Sequence, residues 1–191
     1  MIKRRGVTMV ELLVVIVIST IIGGAIVTTL MGQMRLSTTQ NRTMINQQNL
    51  REGLDYITDE VSTIGSGVNE PFVSIATAQE FEFNSDIDGD GNWNRVRYYM
   101  SGSDLMRQLW TSTNQGGLWT QVSNDVLLSG VTTLTFAYFQ AGNTTTTTAN
   151  SITLVDVQLT QNAGADTTAF TTGQVATGRM AARATIRNRM L

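Results

Sequence analysis

Three aspartates stand at alternate positions in the run Ser85-Asp86-Ile87-Asp88-Gly89-Asp90-Gly91-Asn92-Trp93-Asn94. A tight loop turns such alternate carboxylates onto one point, and Gly91, sixth counting from Asp86, supplies the flexibility the turn needs. Hard oxygen donors in that pattern suit calcium, with Asp86, Asp88 and Asp90 as ligands and the Asn92 carbonyl as a further one. The carboxylates repel one another at close range, and a cation relieves the repulsion. The competing reading is a polar turn between two strands, its charge offset by Arg95 and Arg97. A fourth carboxylate, Glu11, is the only ionisable residue between Val7 and Met31. A carboxylate in so apolar a stretch is costly if the stretch enters a membrane, by about 2.5–3.5 kcal/mol, and is therefore expected to have a role.

Other chemistry is limited by what is missing. The 191 residues contain no His and no Cys, so Ser-His-Asp and Cys-His catalysis, disulfides and zinc-thiolate sites are excluded. The aspartate loop is not an EF-hand: the twelfth position carries Arg97 where a bidentate Glu belongs, and the flanks read as strands. No phosphate-binding glycine loop follows a strand, and no nucleophile elbow occurs. The sequence is expected not to encode an enzyme. A net charge of −2 argues against a nucleic-acid partner.

The elements that must position these residues begin with a helix. Lys3, Arg4 and Arg5 precede the apolar stretch Val7 to Met31. As helix that stretch is about 37 Å long, enough to cross a hydrocarbon core of roughly 30 Å. The basic cluster before it, with no equivalent soon after, places the N-terminus in the cytoplasm. Gly23-Gly24 inside it reads either as close packing of small residues or as a point of bending. From residue 32 to 66 the helix continues, first polar and then amphipathic. Leu50, Leu54, Ile57, Val61 and Ile64 form one apolar face, Asp55, Asp59 and Glu60 lie off it, and Gly65-Ser66-Gly67 ends it.

Residues 67–191 read as a β-rich head outside the cytoplasm. Strands are expected at 72–76, 79–84, 95–100, 105–110, 118–122, 131–140, 152–160 and 178–188. Asn124-Asp125 reads as a loop, and Thr144–Thr148 as a flexible hairpin tip. Arg179, Arg183, Arg187 and Arg189 alternate with Met180, Ala182, Ala184 and Ile186, giving the last strand a basic outer face. That face is either solvated or a docking patch for an acidic neighbour. The fold class is α+β: a long N-terminal helix packed on an antiparallel head.

The segment Gly6-Val7-Thr8-Met9-Val10-Glu11-Leu12-Leu13-Val14 resembles the signal of type IV pilins and pseudopilins. The resemblance implies that a prepilin peptidase removes residues 1–6, cutting between Gly6 and Val7, and methylates the new amine. Val7 stands where the family usually has Phe. It also implies that Glu11 pairs with the Val7 amine of a neighbouring subunit in a filament. The head, from Phe81–Gly91 through Val96-Arg97-Tyr98-Tyr99 to Ala184–Asn188, resembles PilW-type minor pilins, with GspJ-type minor pseudopilins of type II secretion as a sister group. These resemblances imply a pilin-like subunit in the bacterial inner membrane that passes into a surface or periplasmic filament. Its partners would be other minor and major pilin-like subunits, the peptidase and an inner-membrane platform protein, in a hetero-oligomer that primes or caps the filament. A minor pseudopilin and an adhesive tip protein, presenting Trp93, Trp110, Trp119 and the threonine run, are the alternatives.

Overall fold

The computed structural model describes residues 8–69, 71–113, 116–163 and 176–186. Among them α1 (Met9–Ser62) is followed by β1 (Val73–Ala76), β2 (Glu80–Ser85), β3 (Trp93–Ser101), β4 (Asp104–Ser112) and β5 (Thr120–Ser129). Then come β6 (Val131–Gln140), β7 (Thr144–Thr145), a 3₁₀ turn at Ala149–Ser151, β8 (Leu154–Ala163) and β9 (Ala176–Thr185). The chain divides into two compact units, residues 1–42 and 43–191.

In the first unit α1 is long and apolar enough to cross a membrane. Its large apolar side chains are exposed all round, as in Leu12, Ile16, Ile22 and Ile26. The helix passes through Gly23 and Gly24 without a break. Three threonine hydroxyls of the stretch are satisfied within it. Thr20 donates to the Val17 carbonyl at 2.8 Å, and Thr28 and Thr29 each donate to the Ala25 carbonyl at 2.9 Å. Internal satisfaction is what a hydrocarbon environment demands.

The second unit is built on the apolar face predicted for the end of the helix: Leu50, Leu54, Ile57, Val61 and Ile64 are all buried. Two antiparallel sheets contribute the rest of that core. One has the order β1-β2-β3-β4-β5, the other β7-β6-β8-β9. Phe81 joins them, with its ring 5.4 Å from Phe83 on its own strand and 5.6 and 5.4 Å from Phe136 and Tyr138 of β6. Backbone bonds reinforce the junction, Phe136 N to Ala78 O at 2.8 Å and Val131 N to Ser103 O at 2.8 Å. Val155, Val157 and Leu159 of β8 and Ala184 and Ile186 complete the core.

Strand parity sets two faces on the first sheet. Phe81, Phe83, Val96, Tyr98 and Leu105 point into the core. On the other face, the register places Glu82 beside Arg97, Asn84 beside Arg95, Arg95 beside Trp110, and Arg97 beside Gln108. Ion pairs Arg97–Glu80 at 2.6 Å and Arg95–Glu82 at 3.5 Å lie across it.

The structure differs from the sequence reading in several places. Asn124 and Asp125 lie inside β5, paired to Gln108 and Arg107, rather than in a loop. An edge strand has one side free of neighbours, so polar residues are tolerated in it. Two bulges in the β4–β5 ladder also interrupt its alternation. The threonine run is not simply a flexible tip, for Thr144 and Thr145 pair with Gln140 and Phe139. Asn143, at φ 61°, makes the turn. Glu60, read as lying off the apolar face, is 7% exposed. On β9 Arg183 binds Asp156 through two bonds of 2.5 and 2.7 Å, and Arg179 binds Gln158 at 2.8 Å. Arg187 and Arg189 lie outside the described residues.

Candidate functional site

Two separate groups of predicted residues are involved, one in each unit. At the start of α1, Gly6 and Val7 lie outside the described residues. Glu11 is described and has a local role. The Thr8 hydroxyl oxygen accepts from Glu11 N at 3.3 Å, while Glu11 Oε2 accepts from Thr8 N at 3.4 Å. This is a capping box, in which two backbone donors that a helix start leaves unpaired are satisfied reciprocally. The carboxylate also sits at the positive end of the helix dipole. Reading the sequence for charge alone passes over Thr8. The pattern Thr-x-x-Glu directly before an apolar run is the signal that finds it.

In the second unit, one ligand oxygen from each of Asp86, Asp88 and Asp90 can lie within 4.8 Å of the others. The turn that carries them is fixed at its root. Asp86 N donates to Ser66 O at 2.7 Å, tying the loop to the end of the helix segment. Gly67, at φ +65°, lies against Asp86, where a Cβ would come within 2.7 Å of the Asp86 Cβ. Only glycine combines that backbone angle with that approach. Asp86 accepts from Gly89 N at 2.8 Å and Gly91 N at 3.1 Å. Asp90 accepts from Asn92 N and from the Asn92 side-chain amide, both at 2.7 Å. Those bonds from Asn92, side chain first, hold the Asp90 carboxyl below its ordinary range. Three carboxylates thus converge on a largely exposed turn, two of them already oriented by backbone N–H groups. Arg95 and Arg97 do not offset this charge, since they pair with Glu82 and Glu80 on the sheet face.

Sequence reasoning missed a third constellation. Glu60 lies near the end of α1 and meets Arg107 of β4, 9% exposed. Arg107 Nε donates to the two carboxylate oxygens at 3.1 and 3.0 Å and the guanidinium adds a bond of 2.5 Å. The Tyr98 hydroxyl of β3 donates to the same carboxylate. The Tyr56 ring faces the guanidinium, 5.5 Å from Cζ. Burial pulls the Arg107 guanidinium towards neutrality, but the bonds and charge of Glu60 outweigh it and hold it charged. Burial, and then the charge of Glu60, push the Tyr98 phenol well above its ordinary value. Parity carried the signal: Arg107 stands between Leu105 and Leu109 on the face that turns to the core.

The adhesive surface expected from three tryptophans and the threonine run does not form as one patch. Trp93 is 9% exposed, covered at Gly116, where a Cβ would meet its ring at 2.9 Å. The threonine run belongs to the other sheet.

A family profile for the prokaryotic N-terminal methylation motif matches residues 1–27. No curated protein matches the chain. Among solved structures, a type IV-like pilin from Thermus thermophilus superposes with a TM-score of 0.54 at 11% identity, over 74% of this chain and 95% of that one. At that identity the likeness is one of fold. Prepilin motif and pilin-like α+β fold together fit a type IV pilin-like family, and the apolar N-terminal helix that carries the motif fits a membrane-anchored pilin.

Proposed function

We propose that this chain is a minor pilin that primes or caps a type IV pilus-like filament after prepilin peptidase cuts between Gly6 and Val7. The observation that carries the reading is the methylation motif over residues 1–27, placed at the head of an apolar helix whose first turn holds a single carboxylate. The precursor sits in the bacterial inner membrane with Lys3, Arg4 and Arg5 in the cytoplasm, following the charge asymmetry. After processing, Glu11 exchanges the backbone N–H of Thr8 for the Val7 amine of a neighbouring subunit, so each buried charge in the helix bundle has a partner. Removing one partner of such a pair is costly, which makes it a register device. Other minor and major pilin-like subunits and a platform protein are the partners. In this reading the chain contributes a helix, a charge pair and a head surface.

Mass spectrometry of the N-terminus, together with purified filaments, tests this. Glu11→Ala should still lose residues 1–6 but fail to enter filaments. Normal incorporation of the variant would overturn the role of Glu11. An unprocessed N-terminus in the wild-type chain would overturn the whole reading. A minor pseudopilin of type II secretion is the second reading, resting on the same motif and fold; a filament that does not extend beyond the periplasm would select it.

Calcium at Asp86, Asp88 and Asp90, with Asn92 beside them, is proposed as a ligand of the head, supported by the convergence of the three carboxylates. Calorimetry should show heat on adding calcium and a rise in melting temperature that a chelator reverses, with both lost in Asp88→Asn. Neither heat nor a thermal shift would leave the turn as a self-capped loop.

A further inference from the structure

We propose that the face of the first sheet turned away from the core binds an uncharged saccharide chain, a function separate from filament assembly. Glu80 and Glu82 on this face are both matched, by Arg97 and Arg95 respectively. Arg95 also donates to Asn84 Oδ1 at 3.1 Å. The charges are thus spent within the sheet, and a charged ligand gains little there. What remains for a ligand is aromatic and planar-polar.

Arg95 organises the aromatic part. Its guanidinium lies 4.1 Å from the centroid of the Trp119 ring, and its cross-strand neighbour is Trp110. Trp110 and Trp119 therefore flank one fixed cation on one face. Neither indole can turn inward, because the core side of the sheet is filled by the helix and by Phe81, Val96 and Leu105. Both remain half-buried rather than covered. Trp93 is sealed under Gly116 beside them and acts as support.

The polar part lies along the next residues of β4 and β5. Gln108 is the cross-strand neighbour of Arg97 and Asn124, and its Oε1 has no hydrogen-bond partner. Asn124 is exposed and touches the Tyr99 hydroxyl at 3.4 Å. Gln121, exposed, pairs with Trp110. The oxygen is covered as it stands, but the residue is only half-buried, and rotation of its amide presents the acceptor to a ligand hydroxyl, which removes the cost of leaving it unpaired. A pyranose offers that chemistry: an apolar C–H face that stacks on the negative face of an indole, and a rim of hydroxyls that both donate and accept. Amide side chains match such hydroxyls without needing charge.

The test uses the full chain in lipid nanodiscs, so that no glycoside detergent competes. Calorimetry and tryptophan fluorescence would be run with neutral hexasaccharides of β-1,4-glucose, β-1,4-N-acetylglucosamine and α-1,4-glucose, and with an anionic polyuronate. Binding of at least one neutral probe, with a change in tryptophan emission that persists in high salt, is expected. Trp119→Ala and Gln108→Ala should each weaken it roughly tenfold. Gln121→Ala, on an exposed position with no packing role, should weaken it while leaving the melting temperature unchanged. No binding of any neutral probe overturns the proposal. So does binding that all three variants leave unaltered, or a preference for the polyuronate that salt abolishes. None of these outcomes depends on filament incorporation.

Discussion

Glu60 and Arg107 are the residues on which the head depends most sharply. A buried ion pair adds little net stability over apolar packing, but a half-pair is severe, because the remaining charge has neither water nor partner. Glu60→Gln should therefore lower the unfolding free energy of the head by about 3–5 kcal/mol, read by denaturant unfolding. The double variant Glu60→Leu with Arg107→Leu should recover most of that loss. Equal stability of Glu60→Gln and wild type would show that the pair is not the constraint described here. The pair was half legible in the sequence. Alternation along β4 turns Arg107 inward, but nothing in α1 marks Glu60 as the carboxylate that meets it, since Asp55 and Asp59 look equivalent until the helix is rotated onto the sheet. Thr8 was fully legible, as a capping box, once the apolar run was recognised as a helix.

The elements themselves followed from pattern wherever burial is one-sided. The four-three-four-three spacing from Leu50 to Ile64 gave the packed face of α1, and β6 was bounded at Val131–Gln140 by its alternation. The aspartate turn was placed between the right strands by its Asp and Gly content. β5 was underread because an edge strand need not alternate, and its bulges move Val122 and Leu127 out of register. Those bulges also protect the sheet. A long exposed edge with unpaired backbone groups invites pairing with another chain, and a bulge spoils the template. Pairing order was partly legible: the hairpin read between strands 131–140 and 152–160 is the β6–β8 pairing, whereas the return of Thr144 and Thr145 onto β6 has no alternating pattern to mark it.

At the scale of the molecule, charge is distributed by role. Removal of Lys3, Arg4 and Arg5 would leave ten basic against fifteen acidic side chains and no lysine. The near-balance of the whole chain is thus partly a topology signal. The remaining arginines described in the second unit mostly hold structure, in pairs with Glu60, Glu80, Glu82 and Asp156. Stability should accordingly be sensitive to alkali. Tyr98 and Tyr138 both have phenols raised above their ordinary value of 10.0, in each case chiefly by burial. Above that pH the unfolded chain releases these protons and the folded chain keeps them, so stability present below it is lost as pH rises. Thermal melting between about pH 9 and about pH 11 should show a falling midpoint. Tyr98→Phe should flatten part of the fall and leave the share due to Tyr138. An unchanged slope in that variant would mean that Tyr98 ionises freely in the folded head.

The placement of Glu60 also has a mechanical meaning. The carboxylate is held from two strands at once, by Tyr98 of β3 and Arg107 of β4. β3 is the middle strand of its sheet, with β2 and β4 hydrogen-bonded on either side. Tension drawn along the last turns of α1 thus enters the head at the centre of a ladder and not at its edge. To slip by a single residue the helix must first separate opposite charges away from water, so the head yields abruptly or not at all.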